Sequence, residues 1–125
     1  MKGSNKVIAE LNGLLAWELA AMDQYFIHAR MYDDWGLQKL FERIDHEFDD
    51  EKGHAAALIE RMLFLEGTPD MTTRPPLQVG KTVPEMLQND LNVELAVDQA
   101  LKDAIKVCES EQDYHSREIL EKLLE

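Results

Sequence analysis

Residues 67–84 read GTPDMTTRPPLQVGKTVP and form the long interruption in a chain that is otherwise patterned as helix. The residues within it that disfavour helix are Pro69, Pro75, Pro76 and Gly80. The stretch closes on Thr82-Val83-Pro84-Glu85, which is a capping box with proline in the first turn of a helix. We therefore predict a crossover over residues 67–82 and a new helix that begins at residue 83.

On both sides of this stretch, apolar residues recur every three or four positions, which is the period of an α-helix. Gly36 suits the left-handed backbone just past a helix end, and Asp113 is a suitable N-cap. The pattern predicts helices over residues 6–35, 37–66, 83–111 and 114–125. No useful length of sequence alternates between apolar and polar residues, so we predict an all-α fold.

The lengths of these segments predict how the helices are arranged. Two helices of about thirty residues, each about 45 Å long, should lie antiparallel when they are joined by a short turn near Gly36. A linker of about fifteen residues can span about 50 Å, enough to start the third helix parallel to the second. We expect residues 1–125 to form a single domain, an up-down four-helix bundle with one long crossover.

The composition excludes several classes of protein. The chain has 125 residues, with 25 Asp and Glu against 13 Lys and Arg, and a formal charge of −12. This charge disfavours nucleic acid and anionic membranes as partners and suits cations. No apolar run approaches a membrane span and the first residues lead into no signal peptide, so we expect a cytoplasmic protein. Cys108 is the only cysteine, which excludes a disulfide framework and Cys-rich zinc or iron–sulfur sites.

In a helical bundle, the side chains that face the interior recur at spacings of three and four, and this spacing selects one seam on each long helix. The seams are Leu11, Leu15, Glu18, Met22, Tyr25 and Ala29 on the first helix; Ile44, Glu47, Glu51, His54 and Leu58 on the second; and Leu87, Leu91, Glu94, Asp98, Leu101 and Ile105 on the third. Each seam carries a carboxylate near its middle. Burying an unpaired carboxylate costs several kcal/mol, so bases, protonation or a metal must compensate.

The residue types on the seams favour a metal. Glu51 and His54 form a Glu-x-x-His pair, one turn apart on one helix face. Carboxylate oxygen and neutral imidazole are the ligands of di-iron and di-manganese centres in helical bundles. Few bases lie on the seams, and Arg61 continues the second seam two turns beyond His54. We predict that the metal ligands are Glu18, Glu51, His54 and Glu94.

Other residues near the seams have two interpretations each. Tyr25 lies two turns after Glu18 on the same seam, so it could donate a hydrogen bond to a ligand or act as a catalytic residue in redox chemistry. Alternatively, it is a core tyrosine with a satisfied hydroxyl. His46 and Asp50, one turn apart beside the second seam, form with Glu47 a candidate secondary iron site. Alternatively, they are a solvated pair.

Seven short motifs spread over the chain carry a family resemblance. They are Met1-Lys2-Gly3, Glu18-Leu19-Ala20, Asp23-Gln24-Tyr25-Phe26, Asp34-Trp35-Gly36-Leu37, Phe64-Leu65-Glu66-Gly67, Glu85-Met86-Leu87 and Asp113-Tyr114-x-Ser116-Arg117. Together they resemble bacterioferritin, the haem-binding branch of the ferritin family. The resemblance implies oxidation of Fe(II) by dioxygen or peroxide at an intrasubunit di-iron ferroxidase centre and storage of an Fe(III) mineral in a hollow oligomeric shell. By matching position it also implies iron ligation by Glu18, Glu51, His54 and Glu94, with Glu51 and Glu94 bridging the two irons.

The chain departs from this family at the position that holds haem. The family binds haem b through a methionine directly after the ligand Glu of Glu-x-x-His, and here that position is Lys52. A lysine ammonium is a poor axial ligand, so we expect that a symmetric pair of these chains binds no haem. Some related chains that lack this methionine assemble with a haem-binding subunit. We therefore expect a homo-oligomer or a mixed oligomer with such a subunit.

The second departure lies in the fourth helix. Its seam is Ser116, Leu120 and Leu123, and the family places a second Glu-x-x-His pair beyond Glu125, where this sequence ends. We therefore expect a truncated fourth helix and one half of the ligand set. Two other functions stay open: a catalytically incomplete structural subunit of a mixed ferritin shell, and a rubrerythrin-type di-iron oxidase, for which the expected Cys-x-x-Cys pairs are missing.

Overall fold

The computed structural model describes residues 1–124, which form four α-helices and, within that range, no β-strand. The helices are α1 (Asn5–Asp34), α2 (Gln38–Phe64), α3 (Val83–Ser110) and α4 (Tyr114–Leu124). The predicted all-α four-helix bundle is confirmed. The predicted end of the fourth helix at Glu125 lies outside the described residues. Over residues 1–124, none of the helices combines the length and the apolar character needed to span a membrane.

Local sequence signals set where two of the helices begin. The Ser4 hydroxyl accepts hydrogen bonds from two N–H groups of the first turn of α1. The Thr82 hydroxyl accepts from the N–H of Glu85, and Pro84 lies in the first turn of α3. These caps satisfy N–H groups that have no partner inside a helix, which is why the helices start at these residues.

The end of α2 differs from the sequence expectation, in which the helix runs to residue 66. Helix α2 ends at Phe64, and Glu66 has the left-handed φ of 62°. The next residue, Gly67, donates its N–H to the carbonyl of Met62 at 2.8 Å. A Cβ atom at Gly67 would lie 2.9 Å from Cγ2 of Ile8, so the glycine allows the turn to pack closely on α1.

Contacts at the ends of α1 show the directions of the helices. The N–H of Gly3 donates to the carbonyl of Leu65, just past the end of α2. The Ser4 hydroxyl donates to the carboxylate of Glu111, just past the end of α3. Helix α1 is therefore antiparallel to both α2 and α3. Helices α2 and α3 are parallel to each other, as the long crossover between them requires.

The core lies between α1, α2 and α3, and α4 closes it at one end. Leu15, Leu58 and Leu101 of the predicted seams are buried. The prediction that Leu87 and Leu91 face the interior is wrong for the described residues, because these side chains are 44% and 51% exposed. Helix α4 has 11 residues where α3 has 28, so α4 covers only the second half of α3.

Arg61 continues the second seam but does not approach the seam carboxylates. Its Nε donates to the hydroxyl of Ser116 at 2.9 Å, and its Nη2 donates to Asp113 at 3.3 Å. Arg61 is 8% exposed, so these contacts tie the end of α2 to the start of α4 inside the protein. The carboxylates in the middle of the bundle therefore need a different partner.

Candidate metal centre

Three of the predicted ligands meet in the middle of the bundle: Glu18 from α1, and Glu51 and His54 from α2. His54 Nδ1 lies 3.0 Å from Oε2 of Glu18 and 3.7 Å from Oε2 of Glu51. One ligand atom from each residue lies within 4.8 Å of the other two. Ligand atoms on one ion, each about 2.1 Å from it, are at most about 4.2 Å apart. Small side-chain movements would therefore allow all three residues to bind one cation.

Two carboxylate oxygens of this cluster are buried without a hydrogen-bond partner, Oε1 of Glu18 and Oε2 of Glu51. Glu18 is fully buried and Glu51 is 3% exposed. A buried oxygen without a partner costs free energy, and a buried carboxylate costs more than a neutral group. A bound cation would supply the missing partner to both oxygens, so the residues present fit a metal ion.

The protonation of these groups depends on their mutual contacts. Burial raises the pKa of Glu51 from 4.5 to about 7, although its contact with His54 opposes this increase. The hydrogen bond to Glu18 and, after it, the 3.7 Å contact with Glu51 raise the pKa of His54 from 6.5 to about 10, against the effect of burial. Without a bound metal, the imidazole is therefore a cation at neutral pH. A metal would displace its proton, because coordination requires neutral imidazole.

The fourth predicted ligand, Glu94 of α3, lies outside this cluster but lines the same cavity. The cavity has a volume of about 500 Å³, and its acidic and histidine residues are Glu47, Asp50, Glu51, His54, Glu94 and Asp98. Burial raises the pKa of Glu94 from 4.5 to about 7, against the effect of a hydrogen bond from Tyr25. The cavity thus has carboxylates on both α2 and α3, and three of the four predicted ligands form a compact group.

The Tyr25 hydroxyl donates a hydrogen bond to Oε1 of Glu94. Burial, followed by this bond to a carboxylate, raises the pKa of Tyr25 well above its ordinary value. The hydroxyl therefore keeps its proton. It donates a hydrogen bond to a predicted ligand, as the first sequence interpretation proposed, and it is satisfied inside the protein, as the second proposed. A redox role for Tyr25 stays a prediction.

Two residues of the candidate secondary iron site, Glu47 and Asp50, line the cavity, and His46 lies beside Asp50. His46 and Asp50 form an exposed pair with 3.5 Å between Nδ1 and Oδ2, and their side chains are 74% and 52% exposed. Asp50 and Glu47 line the cavity, while Lys122 of α4 lines its other side. Iron binding by His46, Glu47 and Asp50 stays a prediction. Lys52 is exposed on α2.

Sequence reasoning missed a second buried polar group, formed by Gln24 and His28 of α1 and Asp90 of α3. The three residues are 2%, 0% and 6% exposed. Oδ1 of Asp90 lies 2.9 Å from Nε2 of Gln24 and 2.8 Å from Nδ1 of His28. The available signals were that Gln24 and His28 are one turn apart and that Asp90 lies one turn before Glu94. We call Gln24, His28 and Asp90 the Asp90 cluster.

An all-α bundle with one long crossover and a carboxylate–imidazole cluster between its helices has the arrangement of ferritin-like proteins. The chain belongs to this family, since the model of the ferritin-like domain matches residues 8–125.

A bacterial ferritin of Synechocystis sp. is 62% identical over 124 residues, which are 99% of this chain and 80% of that protein. A bacterial ferritin of Pseudomonas aeruginosa is 54% identical over 96% of this chain and 77% of its own length. A bacterioferritin of Brucella melitensis is 39% identical over 99% of this chain and 77% of its own length. The predicted resemblance is confirmed.

Proposed function

We propose that this chain is an iron-storage and detoxification subunit that oxidises Fe(II) at an intrasubunit di-iron ferroxidase centre. The observation that carries the proposal is the cluster of buried Glu18 and Glu51 with half-buried His54, in which two carboxylate oxygens have no hydrogen-bond partner. Membership of the ferritin-like family and similarity to bacterial ferritins support iron as the metal. We further propose that residues 1–125 act as one domain within an oligomeric shell that stores the Fe(III) mineral.

Each residue of the centre has a proposed task. Iron held there would supply the redox chemistry, in which Fe(II) gives electrons to dioxygen or peroxide. Glu18 and Glu51 contribute negative charge inside the bundle, and His54 contributes a neutral imidazole once its proton is displaced. Glu94 would complete the ligand set from the opposite wall of the cavity. Tyr25 holds a proton on its hydroxyl beside Glu94 and is the proposed catalytic residue.

The acidic cavity also supports a route for the cation. Glu47 and Asp50 line it together with Glu51 and His54 of the cluster, and the Asp50 side chain is 52% exposed. A cleft lined by charges of one sign raises the local concentration of counter-ions. We propose that His46, Glu47 and Asp50 bind a secondary iron. Cytoplasmic location and assembly with a haem-binding subunit stay predictions.

A catalytically incomplete structural subunit of a mixed ferritin shell is the second candidate. It is favoured by the position of Glu94 outside the compact cluster and by Lys52 in place of the haem-binding methionine. A rubrerythrin-type oxidase stays a further prediction, and residues 1–125 contain one cysteine, Cys108. The two main candidates differ in how many Fe(II) ions each chain binds and oxidises.

An anaerobic Fe(II) titration, followed by exposure to oxygen, tests the proposal. Two tight sites per chain and rapid oxidation support a ferroxidase, whereas one site or none supports the structural subunit. Glu18→Ala and Glu51→Ala should abolish rapid oxidation while leaving the helical content unchanged. Glu60→Ala, at an exposed position of α2, is the matched control and should oxidise Fe(II) normally. Unchanged oxidation in both site variants would contradict the assignment of the centre.

A further inference from the structure

The Asp90 cluster connects three segments of the chain through a fixed set of hydrogen bonds. Oδ1 of Asp90 accepts from Nε2 of Gln24, and it also contacts Nδ1 of His28. Nε2 of His28 lies 3.1 Å from the backbone nitrogen of Gly80 in the crossover. A backbone N–H can only donate, so Nε2 must be the acceptor and Nδ1 must donate to Asp90. The contact with the crossover therefore selects one tautomer of His28.

The orientation of the Gln24 amide is determined in the same way. Its Oε1 accepts the backbone N–H of Gln78 at 3.1 Å, which leaves Nε2 as the donor to Asp90. Gly80 packs so closely on α3 that a Cβ atom there would lie 2.6 Å from the backbone nitrogen of Met86. The crossover is thus held on one side by α1 and on the other by α3, and Asp90 joins the two helices.

The position of this cluster along the helices relates it to the metal centre. Gln24 directly precedes Tyr25, and His28 follows Tyr25 by one turn on α1. Asp90 precedes Glu94 by one turn on α3. The bonds of Asp90 to α1 therefore lie directly beside the bond from Tyr25 to Glu94. Both sets of bonds connect the same two antiparallel helices, so the first set constrains the relative position of the second.

We infer that Asp90 is a positioning residue, which holds α1 and α3 in the register that brings the Tyr25 hydroxyl to Glu94. Asp90 touches none of the three clustered ligands, and its task is to accept two hydrogen bonds at one oxygen. Its other oxygen, Oδ2, is buried without a hydrogen-bond partner. Asparagine at this position would keep Oδ1 as the accepting oxygen. Its amide nitrogen would replace Oδ2, which makes no hydrogen bond. The register, rather than the charge of Asp90, is therefore the property under test.

The first readout uses the protein without metal and does not depend on oxidation. The hydrogen bond of the Tyr25 hydroxyl changes the NMR shift of its ring Cζ, which isotope-labelled tyrosine makes visible and Tyr25→Phe assigns. Asp90→Ala should move this signal, and Asp90→Asn should leave it in place. Asp103→Ala is the matched control, because Asp103 also accepts a glutamine amide at 2.9 Å but lies exposed on α3. An unmoved signal in Asp90→Ala would overturn the inference.

The second readout rests on the proposed ferroxidase function. Asp90→Ala should lower kcat for Fe(II) oxidation by at least about tenfold with little change in KM, because misplacing a reacting group by about 1 Å can cost a hundredfold. Asp90→Asn should restore the rate to within about threefold of the natural chain. If Asp90 acts through Tyr25, the double variant with Tyr25→Phe should be no slower than Tyr25→Phe alone. Independent effects that multiply in the double variant would overturn the inference.

The two readouts separate failure of this inference from failure of the proposed function. A natural chain that oxidises no Fe(II) contradicts the proposed function, and the tyrosine signal alone then decides the inference. A natural chain that oxidises Fe(II), with an equal rate in Asp90→Ala, contradicts only the inference. Loss of activity in both Asp90→Ala and Asp90→Asn would also contradict it, because it would assign the effect to charge rather than to register.

Discussion

Replacing Glu51 with glutamine should stabilise the protein without bound metal at pH 8. The Glu51 side chain is 5% exposed, and burial raises its pKa from 4.5 to about 7. The folded state therefore holds this proton more tightly than the unfolded chain does, and stability is lost as the pH rises from about 4.5 through about 7. The two pKa values differ by about 2.5, which corresponds to roughly 3 kcal/mol. Glutamine carries no charge and avoids this loss.

The expected gain is about 3 kcal/mol at pH 8 and falls below about 1 kcal/mol at pH 5. The pKa of about 7 already includes the contact of Glu51 with His54, and His54 keeps its shorter contact, 3.0 Å to Glu18, in the variant. Urea unfolding followed by circular dichroism, at both pH values and with chelator present, measures the difference. Glu60→Gln, at an exposed position of the same helix, is the control and should change stability little at either pH.

The same substitution should weaken metal binding while it stabilises the fold. An anaerobic Co(II) titration of Glu51→Gln should find lower affinity than in the natural chain, because a charged ligand is lost. A variant that is less stable than the natural chain at pH 8 would refute the reasoning. That result would mean that the interaction of Glu51 with protonated His54 outweighs the cost of burying the carboxylate.

Three further predictions concern the packing of the crossover, the anchoring of α4 and the haem site. Gly80→Ala should destabilise the protein by about 1–3 kcal/mol, because the added Cβ would clash with the backbone of Met86. Gly13→Ala, with open space around it, should not destabilise the protein. Thermal unfolding of the two variants measures the difference. Arg61→Ala should cost about 2 kcal/mol in urea unfolding, because it removes the hydrogen bonds of the buried guanidinium to Ser116 and Asp113, and a loss below about 1 kcal/mol would contradict this. The purified homo-oligomer should show no Soret band, since Lys52 replaces the haem-binding methionine, and a stoichiometric band would contradict that expectation.

The helices and part of the candidate metal centre were predictable because their signals are local. The seam period placed the four helices, and the linker at residues 67–82 implied the crossover. Glu51 and His54 are one turn apart on any α-helix, so their proximity follows from spacing alone. Glu18 was predictable because the antiparallel pairing of two long helices aligns their midpoints. Family motifs then supported iron as the metal.

Other features depended on how the helices pack. The sequence places Glu94 on a seam, but only the tertiary structure shows that it is bonded to Tyr25 and lies near Glu51 without joining the compact cluster. His28 lies one turn from Gln24, but its partner Asp90 is 62 positions away in the chain, so spacing alone could not reveal their contact. Leu87 and Leu91 follow the seam period yet are exposed, because burial requires a neighbouring helix at the same level.

By itself, the sequence determined the helical segments, the long crossover, the acidic character and the Glu-x-x-His pair. Only the tertiary structure decided which carboxylate oxygens lack hydrogen-bond partners and that Glu94 accepts a hydrogen bond from Tyr25. It also decided how the Asp90 cluster joins α1, the crossover and α3. The physical reason is that helical period and spacing are set within a few turns of one segment. The rotation of each helix about its axis and its register against its neighbours depend instead on side-chain packing over the whole bundle.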